Sequence, residues 1–352
     1  MSRGRCNLCH HRCSIPPGGR GRCGTREAGD SGELSLPFYG YITAVAVDPI
    51  EKKPLYHFRP GSRVLSLGFA GCNLRCPFCQ NWHISQLWDG VPPGRRMSPG
   101  EALSALPPDS GARQIAYTYS EPLIHVEYLK DCMELARERG VANVLVSNGC
   151  MSLEKAGEIL PLVDAANIDL KCFSEANYRN VLGGDLETVL NFIRAACRHG
   201  VRLELTTLVV PGFNDSDAEL DRCAEFIAAL EIEPARRDNH GSSENAAASP
   251  VPWHLSAYHP SYRWDAPPTE SAALLRAAER ARGILPYVYA GNIAGEEGST
   301  RCLRCGAVLV HRRGYRVDTP LLRLPSGVRA GGTTGPRPCG CASCGAEVPV
   351  YW

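Results

Sequence analysis

The sequence predicts an α/β fold built on a largely parallel sheet, and three observations lead there. Short apolar runs rich in β-branched residues alternate with segments of helical period through the middle of the chain. One helix-length segment separates each run from the next, which calls for crossover connections between parallel strands. Cysteines gather at both ends, so small Cys-rich N- and C-terminal modules flank this core.

Residues 1–38 carry Cys6-x2-Cys9-x3-Cys13-x9-Cys23 among glycines and arginines and read as an N-terminal metal-binding segment. Residues 39–295 form the core. Strands are expected at 63–68, 114–119, 143–147, 165–170, 202–210, 253–257 and 287–290. Helices are expected at 99–106, 124–139, 153–160, 186–199, 217–230 and 269–282; within 124–139, Leu129, Cys132, Met133 and Ala136 recur at helical spacing. A barrel and a doubly wound sheet both satisfy this alternation. The stretch 234–250, polar and rich in Ser, Asn and Ala, breaks the rhythm and reads as a flexible surface insertion. Residues 296–352 form a C-terminal zinc-ribbon-like module.

With 352 residues and 44% hydrophobic content, the chain has ample material for a large core, which excludes global disorder. A formal net charge of +1 gives no bulk attraction to nucleic acid or to a membrane. No run approaches the ~20 apolar residues of a membrane span. Cys6, Cys9 and Cys13 stand where a signal peptide would carry its apolar stretch. The expected location is cytoplasmic. There, 17 cysteines in short spacings point to metal or cluster ligation rather than disulfides.

The sharpest motif is Cys72-x3-Cys76-x2-Cys79, which follows the first expected core strand. Three thiolates can hold three irons of a [4Fe–4S] cluster and leave the fourth without a protein ligand. That open position suits the amino and carboxylate groups of S-adenosylmethionine, whose sulfonium–carbon bond an electron can break. A zinc knuckle completed by His83 is the rival reading of the same spacing.

The motif, with aromatic Phe78 before its last cysteine, resembles the radical S-adenosylmethionine signature. Further segments are similar to the AmmeMemoRadiSam system radical enzyme, a family related to the activating enzymes of pyruvate formate-lyase. They are Asp48-Pro-Ile-Glu-Lys-Lys-Pro-Leu-Tyr56-His-Phe, Tyr117-Thr-Tyr-Ser-Glu-Pro122, Asn167-Ile-Asp-Leu-Lys171, Val210-Pro-Gly-Phe-Asn-Asp215 and Trp253-His-Leu-Ser-Ala-Tyr-His-Pro260. The resemblance implies a partial (β/α)6 TIM-type barrel for the core. It also implies a [4Fe–4S] cluster, S-adenosylmethionine, and an external electron donor such as flavodoxin or ferredoxin.

Cofactor-binding candidates follow. Glu121 can accept hydrogen bonds from the cofactor ammonium. The wider superfamily has a Gly-Gly-Glu-Pro-like turn here, where this chain has Tyr119 and Ser120. Asp169 and Lys171, two apart at a strand end, point the same way; Lys171 can pair with the cofactor carboxylate and Asp169 can orient it. Phe78 and Asn148 join them, the latter in Ser147-Asn148-Gly149. His259 aligns with a nucleoside-contacting His of the related activases. Val146 stands where those activases carry an Asp, which argues against a monovalent cation. Asn214 and Asp215 read as a turn, with Asp215 capping the next helix or touching the cofactor, and His254 reads as packing. Homolytic chemistry requires no general acid or base, so no catalytic pair is named.

Cys302-x2-Cys305 and Cys341-x2-Cys344 read as two zinc knuckles, with Cys339 a fifth candidate. Cys6, Cys9, Cys13 and Cys23 suit either zinc or a second cluster. Arg301, Arg304, Arg312, Arg313 and Arg316 make the C-terminal module basic, which reads as a solvated surface. The expected function is that of a radical enzyme acting on an unidentified substrate, a protein being one option. Glycyl-radical activation is the alternative within this class. A zinc-rich RNA- or protein-binding module is the alternative outside it.

Overall fold

The computed structural model describes residues 2–87, 90–108, 112–232, 249–295, 298–325 and 336–352. Its central sheet has nine strands: β1 (Tyr41–Pro49), β2 (Arg63–Phe69), β3 (Arg95–Arg96), β4 (Gln114–Thr118), β5 (Ala142–Ser147), β6 (Ala165–Asp169), β7 (Arg202–Val209), β8 (Trp253–Ala257) and β9 (Val288–Gly291). They lie in the order β9-β8-β7-β6-β5-β4-β2-β1-β3. β2 and β4 to β9 are parallel, while β1 runs antiparallel to β2 and β3 antiparallel to β1.

Among the described residues, six helices of six residues or more join the parallel strands: α1 (Pro99–Ser104), α2 (Val126–Glu138), α3 (Leu153–Ile159), α4 (Leu186–Arg198), α5 (Asp217–Ala228) and α6 (Ser271–Arg282). The result is six β–α units and a seventh strand. The parallel strands follow one another in sequence order without reversal, so there is no topological switch point, and the winding is that of a barrel rather than a doubly wound sheet. Among the described residues β9 and β3 do not pair, so the barrel is partial.

All seven expected strands and all six expected helices are present. β4 is buried along its whole length, as a strand covered on both faces must be. In α2 the inward stripe includes the expected Leu129, Cys132, Met133 and Ala136. Ser216, not Asp215, caps α5, accepting from Glu219 N at 3.3 Å; Asp215 instead accepts from Gly212 N inside the preceding turn. Of the expected insertion, residues 234–248 lie outside the described residues; Ile232 and Ser249 form an antiparallel bridge at its base.

The N-terminal segment folds as two small hairpins, Gly4–Arg5 with Ser14–Ile15 and Glu27–Ala28 with Leu34–Ser35. Arg26 anchors it to α2 through both Glu127 oxygens, at 2.5 and 2.7 Å. The C-terminal module contributes two three-stranded antiparallel sheets and docks on the barrel through its last strand: Tyr351 N donates to His57 O and Arg59 N to Tyr351 O, both at 2.7 Å. The expectation of a wholly solvated arginine face fails at one position. Arg312 is 1% exposed, donates to Tyr56 O at 2.5 Å and stands 3.7 Å from the Glu51 carboxylate. Its stem and fork fill a gap between the module and the barrel, with the guanidinium over the Tyr56 ring.

Candidate active site

The C-terminal end of β2 leads into the cysteine loop. Gly71 takes a φ of +85°, and a β-carbon there would meet Cys23 O at 2.7 Å, so glycine lets the loop turn against the N-terminal segment. Cys76 is buried; Cys72 and Cys79 are half-buried. Cys72 Sγ accepts from Leu74 N at 3.3 Å and from Asn148 Nδ2 at 3.6 Å, and Cys79 Sγ lies 3.3 Å from Ser85 Oγ. Burial pushes the Cys76 thiol up to about 12 and Cys72 well above its ordinary range. Bare thiolates are disfavoured here, and a bound cationic group is what would draw the protons off.

The loop borders a cavity of about 780 Å³ enclosed by the strand ends, a size suited to a small-molecule cofactor. The three cysteines, Phe78, Glu121, Asn148, Asp169 and Lys171 all line it. His259 does not. It is exposed, with Nε2 3.4 Å from the carbonyl of the cavity-lining Asn292.

Glu121 is buried at the end of β4. Its carboxylate accepts from Ser147 Oγ at 2.7 Å, Asn148 N at 2.8 Å and Leu123 N at 2.9 Å. Burial raises it to about 7 despite these donors. Oε1 takes two of these bonds and Oε2 only one, so Oε2 keeps a lone pair for a further donor. The turn before it shows how the chain manages without the superfamily's glycines. Tyr119 itself takes the left-handed conformation, at φ +71°. Its hydroxyl donates to Asp48 Oδ2 at 2.6 Å and Lys53 Nζ lies 4.4 Å from its ring centroid. Ser120 Oγ ties the turn to Phe69 O at 2.7 Å.

Lys171 Nζ donates to Asp169 Oδ2 at 2.9 Å. Burial opposes the Lys171 charge, but Asp169 and the facing cysteines outweigh it and hold the ammonium above its usual range. Asn214 supports this pair from behind, donating to Lys171 O at 2.7 Å while accepting from Val210 N at 2.7 Å. The Phe78 ring packs against Phe213 and Trp264, with centroids 5.1 and 6.0 Å away.

Further polar residues at or behind the wall were not among the expected cofactor-binding residues. Thr206, opposite Asp169 across the β6–β7 register, has a buried hydroxyl with no protein partner, which suits a polar ligand. His254, expected to pack, lines the cavity and pairs with buried Glu204 at 2.7 Å. Asp48 gathers Lys52, Lys53, Ser66 and Tyr119 at 2.6–3.0 Å. Burial would raise its carboxyl, yet Lys53, Tyr119 and Lys52 hold it well below the ordinary range. Gly298, Arg312, Gly314 and Tyr315 bring the C-terminal module to the same cavity. β7 is buried almost throughout, so burial alone does not mark which of its residues faces the cavity.

At the far end of the chain, Cys302, Cys305, Cys341 and Cys344 bring all four sulfurs within 4.8 Å of one another. The contacts cross between the knuckles, Cys302 to Cys344 and Cys305 to Cys341, both at 3.7 Å. Cys339 stays out of this group, 1% exposed in the module's core.

Residues 67–224, from the end of β2 into α5, match the Radical SAM superfamily. The chain belongs to that superfamily and is a radical S-adenosylmethionine enzyme related to pyruvate formate-lyase activating enzymes. It is 39% identical to the uncharacterized protein MJ0808 of Methanocaldococcus jannaschii, over 98% of this chain and 95% of that one. It is 23% identical to the pyruvate formate-lyase 1-activating enzyme of Escherichia coli, over 47% of this chain and 69% of that protein. Among solved structures, a domain of the pyruvate formate-lyase activating enzyme of Bacteroides vulgatus aligns with 50% of this chain and 98% of that one, at 18% identity and a TM-score of 0.41.

Proposed function

We propose that Cys72, Cys76 and Cys79 hold a [4Fe–4S] cluster, that S-adenosylmethionine occupies the adjoining cavity, and that the enzyme takes a hydrogen atom from a substrate bound there. The observation that carries this reading is the meeting of an incomplete thiol set with a carboxylate and an ion pair on one cavity wall. Among the described residues, no His, Asp or Glu joins these thiols at single-ion distance. His83 is exposed beside Trp82, which speaks against the zinc knuckle.

When bound, the cluster supplies the electron that splits the sulfonium into methionine and a 5′-deoxyadenosyl radical. The chain's own residues bind and orient. Glu121 offers its carboxylate to the cofactor ammonium, and Lys171, aimed by Asp169, offers its charge to the cofactor carboxylate. Asn148 braces Cys72. Leu208, Leu255 and Ile293 give the cavity apolar wall, which favours exclusion of water from a radical. His259, outside the lining, is proposed only as a contact at the cavity rim. The C-terminal thiols suit one tetrahedral zinc ion. The AmmeMemoRadiSam assignment rests on the quoted motifs. Similarity to the activating enzymes favours a glycyl radical protein as one substrate reading.

Anaerobic reconstitution with iron and sulfide tests the proposal. The expected product is a brown protein that yields 5′-deoxyadenosine from S-adenosylmethionine and dithionite. A colourless protein that binds only zinc and cleaves nothing would overturn it.

A further inference from the structure

The chain's cysteines fall into two geometric kinds. The C-terminal four have collapsed to single-ion distances, within 4.8 Å of one another. The triad on the β2 loop has not, as befits ligands spread around the faces of a cubane. Cys6, Cys9, Cys13 and Cys23 resemble the triad: among the described residues, no three of them come within 4.8 Å of one another. They are nonetheless neighbours. Cys6 N donates to Cys13 O at 2.9 Å, and Arg12 N, one residue before Cys13, donates to Cys9 O at 3.1 Å. Two of the sulfurs have polar contacts of their own, Cys13 with Arg22 N at 3.5 Å and Cys23 with Thr25 Oγ1 at 3.2 Å.

Their placement is the second observation. The segment grips both flanks of Cys72. On one side Cys23 O presses on Gly71, where a β-carbon would meet it at 2.7 Å. On the other side His11 Nε2 bonds the carbonyl of Asn73 at 2.8 Å. None of the four N-terminal thiols lines the cavity. The set therefore touches the cysteine loop from outside the cavity, in direct contact with the chain on either side of a cluster ligand. Exposed Arg5, Arg12 and Arg22 lie on the same segment and give it the charge that draws an acidic protein.

We infer that Cys6, Cys9, Cys13 and Cys23 bind a second iron–sulfur cluster, which relays single electrons from an acidic low-potential donor protein to the cluster on Cys72, Cys76 and Cys79. This rests on the radical reading of the triad. Each turnover takes one electron from the donor, which is oxidised. The N-terminal cluster is reduced and then reoxidised as it hands that electron on, and the electron ends in the breaking sulfonium–carbon bond. No proton moves in the relay.

Reciprocal variants of the full chain, reconstituted anaerobically with iron and sulfide, test it. C72A/C76A/C79A and C9A/C23A should each keep roughly half of the wild-type iron, one cluster's share. The reduced-state EPR signal of C9A/C23A should shift when S-adenosylmethionine is added, and that of C72A/C76A/C79A should not. With reduced ferredoxin as the donor, C9A/C23A should lose 5′-deoxyadenosine formation to a larger extent than with dithionite. A triple variant that holds zinc or no metal, beside a wild type with a single cluster's iron, overturns the inference, and it does so even if C9A/C23A fails to fold. A wild type that cleaves no S-adenosylmethionine while the triple variant still holds iron sinks the radical reading and leaves the second cluster standing.

Discussion

Asn148 Nδ2 lies 3.6 Å from Cys72 Sγ, while the backbone N–H of the same residue donates to Glu121 at 2.8 Å. One residue thus links the proposed cluster ligand to the proposed ammonium acceptor. Asn148→Ala removes the first contact and keeps the second. Hydrogen bonds to ligand sulfurs raise a cluster's potential, so the variant's midpoint should move to more negative values. Loss of such an outer contact should slow cleavage by about 10- to 100-fold. A redox titration followed by EPR, read beside the 5′-deoxyadenosine yield, checks both; an unmoved midpoint would deny the contact any role.

Lys171 and Asp169 make a different prediction. A charge-assisted hydrogen bond to the cofactor carboxylate should be lost in Lys171→Met, weakening S-adenosylmethionine binding by roughly 10- to 100-fold. Asp169→Asn keeps the geometry and should weaken it less. Binding isotherms on reconstituted protein separate the two, and iron content should be the same in both, because neither residue ligates the cluster.

Tyr119 is held at φ +71°, where side chains are disfavoured and branched ones most of all. Tyr119→Asn should be tolerated in the backbone and lose only the ring contacts and the bond to Asp48. Tyr119→Val should add about 2 kcal/mol of strain to the same losses. Thermal unfolding of the pair tests this: Val must be the less stable of the two.

The barrel was legible because each β–α unit writes its own local period, and because residues such as Leu129 and Met133 sit where that period puts them. The triad, Glu121 and the Asp169–Lys171 pair were legible because they lie at strand ends, where side chains converge. What escaped depends on contacts distant in the chain. β1 alternates too weakly in burial to announce a strand, yet it carries Asp48, whose carboxylate holds the cavity-lining Tyr119. Arg312 reads as one arginine among five, and only the docking of the C-terminal module against Glu51 and Tyr56 makes it buried. His259 shows the converse: its motif matched, but its side chain stands outside the cavity lining.

Cys305 and Cys339 test the zinc site proposed for the C-terminal module. Cys305 contacts Cys341 within the four-sulfur group, whereas Cys339 is buried outside it. Cys305→Ala should abolish zinc binding and unfold the module, since a structural site contributes folding energy directly. Cys339→Ala should keep the full zinc content and lose about 1 kcal/mol of packing. Elemental analysis of the two purified variants decides it, and zinc loss in Cys339→Ala would reverse the assignment.

His57 ties the barrel to the C-terminal module. Its Nδ1 sits 2.6 Å from Pro349 O and its Nε2 2.7 Å from Tyr289 Oη, so the neutral ring donates to one and accepts from the other. Burial lowers His57 to about 4 from an ordinary 6.5. Between those values the unfolded chain binds more protons than the folded one, so this group's contribution to stability is whole above pH 6.5 and drains away as pH falls toward 4. His57→Asn keeps a donor and an acceptor but cannot titrate. It should be less stable than the parent near pH 7.5, and between pH 7.5 and pH 5 it should lose about 2 kcal/mol less. His11 and His125 are lowered to about 4 as well, also by burial, so some acid sensitivity should survive in the variant. Denaturant unfolding at several pH values, with equal metal content in both proteins, measures the difference; parallel stability curves would show that His57 takes up its proton as readily in the folded protein as in the unfolded chain.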